Sequence, residues 1–492
     1  MNILILSNGA PGYHNFFNSL ANKFSSDEAN VFFAVDCKTS EDENELHQFG
    51  NKVYEFSSFF ADHATDFALL ERYAAYNMNS ALLSDFERAE VYSLWGPKKP
   101  DFYENLKSAL LSFFEKIIKE RNIDVVIYEN VSNAFAHFAW FACQENNIIY
   151  RGVTSSRLPG RFAISDNPLS EDIKIQDTFE KINNGEIIVP QEIRNWCSEY
   201  IENIENIVPD YMKFNNLENT SLINKYYNKG KIKKLLIYKR HLNDDHYHSF
   251  QRGNPLNRTW QMFKRSLLRK LRSSSVMQYY SLPNTDDAFL LYPLHYHPES
   301  STSILAGTYL NELEVIRNIA FNLPQGLTLY VKDHMSAFAY PEIKFYKTIA
   351  SLPNVKILHP NSPTKELIKA SKAVITLTST VGYEALLLGK KVFLFGSVFY
   401  QQHANVTSIK NPSKLFETLK NELAKPNTIT ETYNKNFVAA YYMNTIKGGL
   451  NIMLDKDKAQ SLVEQLYPDI KNELTSSLEK NSQIKITAMK TY

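Results

Sequence analysis

The segment AVITLTSTVGYEALLLGKKVFLFGS, residues 373–397, decides the fold of the C-terminal half of this chain. It opens with an apolar run, Ala373 to Leu377, and passes through a short polar turn into a helical pattern, Gly382 to Leu388. A second apolar run follows, Lys391 to Phe395. Two short apolar runs separated by a helical pattern predict two parallel strands joined by a crossover helix.

The same alternation extends to both sides of this segment and recurs in the N-terminal third of the chain. Further strands are predicted over 288–292, 327–331 and 355–358, with helices over 309–321, 342–350 and 364–370. In the first 165 residues, strands are predicted over 3–6, 31–35, 123–128 and 148–150, and helices over 102–121 and 133–145. These patterns predict two Rossmann-type, doubly wound α/β domains, which bind ligands at the carboxyl ends of their strands.

The length of 492 residues suits two such domains with a further region between them. From residue 166 to 230 the strand and helix alternation stops, and a basic stretch follows, so we expect a helical insertion there. The predicted segments are an N-terminal α/β domain (1–165), a helical and basic insertion (166–281), a C-terminal α/β domain (282–447) and a helical tail (448–492).

Composition excludes several classes of protein. The net charge is +1, so no strong global field attracts a polyanion. No run of 18 apolar residues occurs, and the first residues resemble a strand rather than a signal peptide, so we expect a cytoplasmic protein. Three scattered cysteines, Cys37, Cys143 and Cys197, agree with a reducing compartment.

Residues 231–272 carry twelve Lys or Arg against two Asp, and the part from Trp260 to Leu271 has the pattern of a basic amphipathic helix. One interpretation is a helix packed on its own domain with a solvated basic face. The other is contact with an anionic membrane or an acidic glycan. Nucleic acid is not expected as a partner, because no recognised nucleic-acid motif accompanies the charge.

Polar residues follow four of the predicted C-terminal strands, in the segments 293–302, 332–334, 378–384 and 396–400. We expect them to meet at one edge of the sheet. The turn Thr378-Ser379-Thr380 opens a helix and suits a phosphate, although either hydroxyl residue could simply cap that helix. Glu384, one turn further, could reach the hydroxyls of a ribose.

Lys332 and His334 alternate with Asp333 at a strand end, so they share one side and could neutralise a leaving phosphate. An ordinary surface histidine is the alternative for His334. Glu299 lies in a Pro-Glu-Ser turn near His295 and His297, where the carboxylate could act as a base or as a nucleophile toward a sugar. The two histidines could instead bind zinc, but a third ligand is not evident.

The Asp-x-Asp motif could bind a metal, but here it is Asp455-Lys-Asp457, which lies outside the domain that carries the nucleotide loops. No metal or other cofactor is therefore expected. In the first domain, polar residues also follow the predicted strands. We expect them to hold an acceptor across a cleft, with ordinary interdomain polar contacts as the alternative; they are Asn8, Gly9, His14, Glu129 and Arg157.

Three motifs together resemble the bacterial capsule polysaccharide biosynthesis family, which includes the β-Kdo transferases of capsule and O-antigen assembly. They are Leu-His-Tyr-His-Pro-Glu-Ser-Ser (294–301), Tyr-Val-Lys-Asp-His (330–334) and the segment 378–392 with Phe-Gly-Ser-Val-Phe-Tyr (395–400). The resemblance covers the C-terminal domain well and the first domain loosely. It implies a GT-B fold, with two domains facing a cleft, and a CMP-activated ulosonic acid donor such as CMP-Kdo.

The resemblance also implies transfer to a surface glycan at the inner face of the inner membrane. Glu299 would attack the sugar and His334 would assist. The nucleotide sugar would be held by His295, His297, Ser300, Lys332, Thr378, Ser379, Thr380 and Glu384. The sequence departs from the pattern of the β-Kdo enzymes at two places. Glu299 stands where those enzymes have Asp, and Lys-Asp-His-Met stands where they have Lys-Pro-His-Pro. A UDP- or GDP-sugar donor, an inverting course and a non-catalytic capsule assembly or export protein stay open.

Overall fold

The computed structural model describes residues 1–10, 12–94, 98–99, 101–130, 132–171, 173–207, 236, 238–239, 253–450 and 455–490. Most of the predicted insertion between 208 and 252 therefore lies outside the described residues. The chain forms two compact units. The N-terminal unit comprises Met1–Leu169, Ile223–Gln261 and Ile446–Tyr492, and the C-terminal unit comprises Ser170–Leu222 and Met262–Thr445.

The N-terminal unit contains a seven-stranded sheet of order β14-β6-β5-β4-β1-β2-β3. The strands from β5 to β3 in this order are parallel, whereas β6 and β14 join as antiparallel edge strands. The strands are β1 (Asn2–Ser7), β2 (Asn30–Val35), β3 (Val53–Glu55), β4 (Val125–Glu129), β5 (Ile149–Ser155), β6 (Arg161–Ser165) and β14 (Ile446–Lys447). Strands of buried aliphatic residues alternate with helices, as the sequence predicts. The four predicted strands are confirmed.

The C-terminal unit contains a second seven-stranded sheet, of order β13-β12-β11-β8-β9-β10-β7, and all its pairs are parallel. The strands are β7 (Tyr280–Ser281), β8 (Phe289–Pro293), β9 (Thr328–Lys332), β10 (Val355–Leu358), β11 (Ala373–Thr376), β12 (Lys391–Leu394) and β13 (Val406–Ser408). The five predicted strands are confirmed to within one residue. Because β8 lies between β11 and β9, the loops after these three strands are neighbours.

Helices cover the faces of both sheets. Up to residue 202 they are α1 (Tyr13–Ser26), α2 (Lys38–Glu43), α3 (Phe56–Ala61), α4 (Phe67–Arg72), α5 (Met78–Ala81), α6 (Leu83–Val91), α7 (Phe102–Arg121), α8 (Ala134–Glu145), α9 (Ile173–Asn183) and α10 (Gln191–Glu202). After the gap they are α11 (Pro255–Val276), α12 (Ser300–Leu305), α13 (Glu312–Phe321), α14 (Ile343–Ala350), α15 (Thr364–Ala370), α16 (Thr380–Leu387), α17 (Leu415–Ala424), α18 (Glu431–Met443) and α19 (Lys456–Lys490). Short 3-10 turns occur at Leu46–Lys52, Met277–Tyr279, Gly307–Tyr309 and Pro412–Lys414.

Two predicted segment boundaries differ from the structure. Two of the described helices of the insertion, α9 and α10, pack in the C-terminal unit, where Phe179 contacts Phe437 and Trp196 contacts Tyr442. The tail 448–492 is not separate, because α19 packs on α1 in the N-terminal unit. In both cases apolar and aromatic side chains recur at helical spacing and are buried against a distant part of the chain.

Both sheets thus have the Rossmann-type α/β architecture predicted for a GT-B fold. The predicted cleft between them stays a prediction. Across the part of the chain that the structure describes, no helix has both the length and the apolar character needed to cross a bilayer.

Candidate functional site

A buried carboxylate, Glu312, lies at the centre of the polar groups at the carboxyl edge of the C-terminal sheet. It occupies the first turn of α13 and is 6% exposed. Its Oε1 accepts hydrogen bonds from the Tyr292 hydroxyl at 2.8 Å and from the backbone N–H of His295 at 3.1 Å. The loop after β8 is therefore tied to the start of α13 by a single acid.

His295 connects this acid to the turn after β11. Its Nδ1 lies 2.8 Å from Glu312 Oε1, and its Nε2 lies 3.2 Å from the backbone nitrogen of Thr378. Because Nε2 accepts the Thr378 N–H, the ring proton is on Nδ1 and is donated to Glu312. The hydrogen-bonded chain Glu312–His295–Thr378, named the acid–His–turn chain below, confirms that the loops after β8 and β11 meet.

His297 approaches the other oxygen of the same acid, with Nε2 3.4 Å from Glu312 Oε2. Burial raises the pKa of the Glu312 carboxyl, but the imidazoles of His295 and His297 outweigh it and bring the pKa to about 2. Glu312 is therefore an anion at neutral pH. Among the residues that the structure describes, no group of three or more His, Cys, Asp or Glu is placed to hold a metal ion.

The end of β9 supplies two further groups, as the alternation predicts. Lys332 is buried, and its Nζ donates to the Pro360 carbonyl at 2.9 Å, while burial lowers its pKa. Asp333 points the other way and accepts hydrogen bonds from the hydroxyls of Tyr280 at 2.5 Å and Tyr346 at 3.1 Å. The separation of Asp333 from Lys332 is thus confirmed.

His334 is neutral at neutral pH. Burial, with smaller contributions from His295 and Lys332, lowers its pKa to about 4. Its Nδ1 lies 3.2 Å from the backbone nitrogen of Ser336 and accepts that N–H, so the ring proton is on Nε2. The ring centres of Tyr296 and His334 lie 6.3 Å apart, so the loops after β8 and β9 also meet at this edge.

The turn at Thr378 to Thr380 is held by the first turn of α16 and by Tyr400, which follows β12. Ser379 caps the helix by accepting the Val381 N–H at 3.2 Å, which confirms its predicted capping role. The hydroxyl of Tyr400 donates to the Ser379 carbonyl at 2.6 Å. Gly382 leaves room for this tyrosine, because a Cβ there would lie 2.4 Å from the Tyr400 oxygen.

Glu384 has a partner that the sequence analysis does not identify. Lys365, in the first turn of α15, places its Nζ 2.8 Å from Glu384 Oε1. Burial raises the pKa of Glu384, and Lys365 opposes this effect. The predicted contact of Glu384 with a ribose stays a prediction.

Glu299, the predicted nucleophile, is exposed at the start of α12, and its side chain does not cap that helix. Within the described ranges, no hydrogen bond or ion pair links its carboxylate to the acid–His–turn chain. Ser300 begins α12 and is half-buried. The roles predicted for these two residues stay predictions.

Glu312 is not among the residues predicted from the strand-end loops, although the sequence carries a signal for it. Val315, Ile316 and Ile319 form the buried face of α13, and Glu312 precedes them at helical spacing. An acid on the buried face of a helix needs buried donors. The preceding His-Tyr-His motif supplies them.

The N-terminal unit places a second acid at the carboxyl edge of its sheet. Glu129 ends β4, accepts a hydrogen bond from the Ser132 hydroxyl at 2.8 Å, and interacts with Tyr13. Burial raises its pKa to about 7. Asn8 is buried after β1 and its Oδ1 accepts the Ala10 N–H at 2.9 Å.

The other predicted acceptor residues, Gly9, His14 and Arg157, lie in the same unit. Gly9 is buried, while His14 and Arg157 are half-buried. Contact of any of these residues with an acceptor stays a prediction.

A family model described as capsule polysaccharide biosynthesis protein matches residues 196–444, about half of the chain. The chain belongs to this family. The match spans all three loops of the site, which confirms the resemblance drawn from their motifs. A search of curated protein sequences finds no match.

Solved structures similar to this family member include two of KpsC from Thermosulfurimonas dismutans, described as β-Kdo 2,7 transferase and β-Kdo 2,4 transferase. The 2,7 transferase is 14% identical over 67% of this chain and 79% of that chain, with a TM-score of 0.31. The 2,4 transferase is 15% identical over 65% and 80%, with a TM-score of 0.32. The UDP-GlcNAc 2-epimerase of Methanocaldococcus jannaschii is 11% identical over 90% and 98%, with a TM-score of 0.26. At these sequence identities and TM-scores, the similarity carries no argument about the reaction.

Proposed function

We propose that the protein is a glycosyltransferase of capsule polysaccharide synthesis, and that its C-terminal unit binds a CMP-activated ulosonic acid such as CMP-Kdo. The acceptor is a surface glycan or glycolipid. The observation that carries the proposal is the acid–His–turn chain, which fixes the turn before α16 at the sheet edge where doubly wound folds bind ligands. No metal or other cofactor takes part in the proposed reaction.

In this proposal the donor phosphate binds at the turn that begins α16. A helix N-terminus attracts an anion through its N–H groups and its dipole. His295 holds the Thr378 N–H on one side, and Tyr400 holds the Ser379 carbonyl on the other. The turn is therefore ordered before a phosphate arrives, which reduces the entropic cost of binding.

His334 and Lys332 assist the departure of CMP in this proposal. The neutral ring of His334 carries its proton on Nε2 and can donate a hydrogen bond to the leaving phosphate. The negative charge on that phosphate grows as its bond to the sugar breaks, so the Nε2 hydrogen bond strengthens in the transition state without any transfer of the proton. Lys332 adds a positive charge from the same strand end.

Glu299 acts as the nucleophile in a retaining course. Its carboxylate attacks the anomeric carbon as the bond from that carbon to the CMP phosphate breaks, and a glycosyl ester forms. An acceptor hydroxyl then attacks the same carbon, loses its proton to a base, and regenerates the carboxylate. The exposure of Glu299 supports this role, because an attacking group must be open to the substrate.

The N-terminal unit binds the acceptor in this proposal. Glu129 has a pKa of about 7, which suits proton transfer at neutral pH. Asn8, Gly9, His14 and Arg157 would orient the acceptor.

The nucleotide is tested by thermal unfolding of the purified protein with CMP, UDP or GDP. A ligand that binds only the folded state raises the melting temperature, and at about 100 times its Kd the stabilisation is about 2.7 kcal/mol. We expect CMP to stabilise more than UDP or GDP. If UDP or GDP raised the melting temperature more than CMP, the donor would be the corresponding UDP- or GDP-sugar. If no nucleotide raised the melting temperature, a non-catalytic assembly protein would be favoured.

Transfer is tested with Glu299→Gln and His334→Ala, and Glu342→Gln is the matched control. Glu342, like Glu299, is an exposed residue at the start of a helix whose side chain does not cap it. We expect the first two variants to keep the melting temperature and to lose at least about 100-fold in transfer, because one removes the nucleophile and the other a hydrogen-bond donor to the leaving group. Glu342→Gln keeps full transfer. Full activity of the Glu299 and His334 variants contradicts the mechanism.

A further inference from the structure

Asp333 binds both ends of the turn that follows β9. Its Oδ1 accepts the backbone N–H of His334 at 2.7 Å. Its Oδ2 accepts the hydroxyl proton of Tyr346 at 3.1 Å, and that hydroxyl oxygen accepts the backbone N–H of Ala339 at 3.0 Å. A single buried carboxylate therefore closes the turn of residues 334–339, named the His334 turn below.

The far end of the His334 turn has a conformation that its residue does not favour. Ala339 has a φ of 60°, in the left-handed region that residues with a Cβ rarely adopt. Such a conformation persists only where the surrounding contacts enforce it. The hydroxyl of Tyr346 is one of those contacts, and through it the carboxylate of Asp333 holds the strained residue in place.

Helix α11 also holds this turn, through one arginine. Arg269 Nε donates to the Phe338 carbonyl at 2.8 Å, and its Nη2 donates to the Met335 carbonyl at 3.3 Å. The arginine is half-buried, so this part of α11 differs from the sequence expectation of a basic face turned to solvent. Contact of residues 231–272 with a membrane stays a prediction.

The ring of His334 takes its orientation from the middle of the same turn. Its Nδ1 accepts the Ser336 N–H at 3.2 Å, which leaves the ring proton on Nε2. None of the residues that the structure describes forms a hydrogen bond with that Nε2. Ser336 lies between the two ends that Asp333 holds, so the carboxylate and the ring belong to one connected arrangement.

We propose that Asp333 is a positioning residue for His334, which directs the Nε2 proton toward the leaving phosphate by closing the His334 turn. This inference rests on the proposed function, because that function makes His334 the donor to the phosphate. A donor that is already fixed needs no reorganisation as charge develops on the phosphate. A misplacement of about 1 Å can cost about 100-fold in rate.

Two variants open the turn at different places. In Asp333→Asn the amide has one acceptor oxygen, so it can serve the His334 N–H or the Tyr346 hydroxyl but not both. Tyr346→Phe keeps the ring and removes the hydroxyl that holds Ala339. Each variant therefore releases one end of the turn.

Tyr330→Phe is the matched control. Tyr330 is a buried tyrosine of the same unit, and its hydroxyl also donates to a carboxylate, that of Asp287, at 2.6 Å. Asp287 precedes β8, so this pair lies toward the amino edge of the sheet and away from His334. The control removes the same kind of hydrogen bond without touching the His334 turn.

The first measurement is NMR of nitrogen-labelled histidine rings at neutral pH, which needs no substrate. We expect wild-type His334 to show a single tautomer with the proton on Nε2, its signal being assigned by its loss in His334→Ala. In Asp333→Asn and Tyr346→Phe the ring should populate both tautomers, and in Tyr330→Phe it should keep the wild-type signal. An unchanged signal in the two turn variants, or an equal change in the control, overturns the proposal.

The second measurement is the rate of transfer, with kcat and KM determined separately. We expect each turn variant to lower kcat about 10- to 100-fold with little change in KM, and Tyr330→Phe to change neither. In the His334→Ala background, Asp333→Asn should lower kcat no further, because a positioning residue acts only through the group that it positions. An equal loss in both backgrounds would make Asp333 a residue of stability alone. Full transfer by His334→Ala would contradict the proposed mechanism itself, which separates that failure from a failure of Asp333.

Discussion

The two sheets each carry a buried or largely buried acid at the carboxyl edge, and the two acids differ in charge at neutral pH. The pKa of Glu312 in the C-terminal unit is lowered to about 2, whereas that of Glu129 in the N-terminal unit is raised to about 7. Burial raises the pKa of both carboxyls. Burial alone therefore does not set the charge of such a site.

The neighbours explain the difference. Glu312 receives hydrogen bonds from a tyrosine hydroxyl and a backbone N–H, and two imidazoles surround it. Glu129 has the neutral hydroxyls of Ser132 and Tyr13 and a weaker charge effect from Arg88. A permanent anion that orders a turn and a carboxyl that exchanges protons thus both occur at the carboxyl edge of a parallel sheet, one from a helix and the other from a strand end.

Among the variants that test this comparison, Glu312→Gln is expected to change the free energy of unfolding the most. The variant keeps the shape of the side chain but removes the charge that the His295 N–H and the Tyr292 hydroxyl stabilise. We expect a loss of about 3 to 5 kcal/mol in the free energy of unfolding at pH 7, measured by urea denaturation. Because the folded-state pKa is depressed, the stabilisation is complete above the unfolded pKa of about 4.3 and is lost as the pH falls toward 2.

Glu314→Gln is the control for this variant. Glu314 lies in the same first turn of α13 but is exposed, where its carboxylate pairs with Arg317. A surface pair of this kind contributes about 0 to 1 kcal/mol. If both variants lost the same free energy, or if the loss persisted unchanged at pH 3, the charge of Glu312 would not be the cause.

Glu129→Gln should act in the opposite direction. Its raised folded-state pKa means that the carboxyl favours folding fully below about pH 4.3 and that this contribution is lost as the pH rises through about 7. At pH 8 the wild type holds a charge in a largely buried place, so the variant should be more stable by about 2 kcal/mol. At pH 4 the two proteins should unfold alike.

The measurement is the pH dependence of the free energy of unfolding for wild type and Glu129→Gln. Ser132→Ala is a useful companion, because it removes the hydroxyl that donates to Glu129 Oε1. We expect it to destabilise more at pH 8, where the acceptor is charged, than at pH 4. A Glu129 variant less stable than wild type at pH 8 would contradict the assigned pKa direction.

The sheets could be predicted from the sequence, because buried parallel strands are continuous apolar runs such as Leu290 to Tyr292 and Ala373 to Ile375. The meeting of the β8 and β11 loops could be predicted as well, since parallel strands end at one edge. The acid–His–turn chain could be predicted only in part. His295 and Thr378 follow predicted strands, whereas Glu312 lies in a helix, and packing decides which face of that helix is buried.

Other differences share that cause. Lys365 pairs with Glu384 from a different helix, and no local pattern announces such a partner. The orientation of α11 depends on Tyr340 and the carbonyls near it, which lie about 70 residues away. The amphipathic pattern predicts that a helix has two faces, but it does not tell which face meets the protein.

The smallest effect is expected from removing the caps of two helices, one of which begins near each of the two acids. Ser379 caps α16 through the Val381 N–H at 3.2 Å, and Asn133 caps α8 through the Phe135 N–H at 3.0 Å. Replacing either by alanine should cost about 1 kcal/mol in the free energy of unfolding, because each removes one cap hydrogen bond. Only Ser379→Ala should also weaken CMP binding, measured by calorimetry, since only that turn is held by the acid–His–turn chain. Equal loss of CMP affinity in both variants would mean that a cap contributes only through stability, and the C-terminal turn would lose its assigned role as the phosphate site.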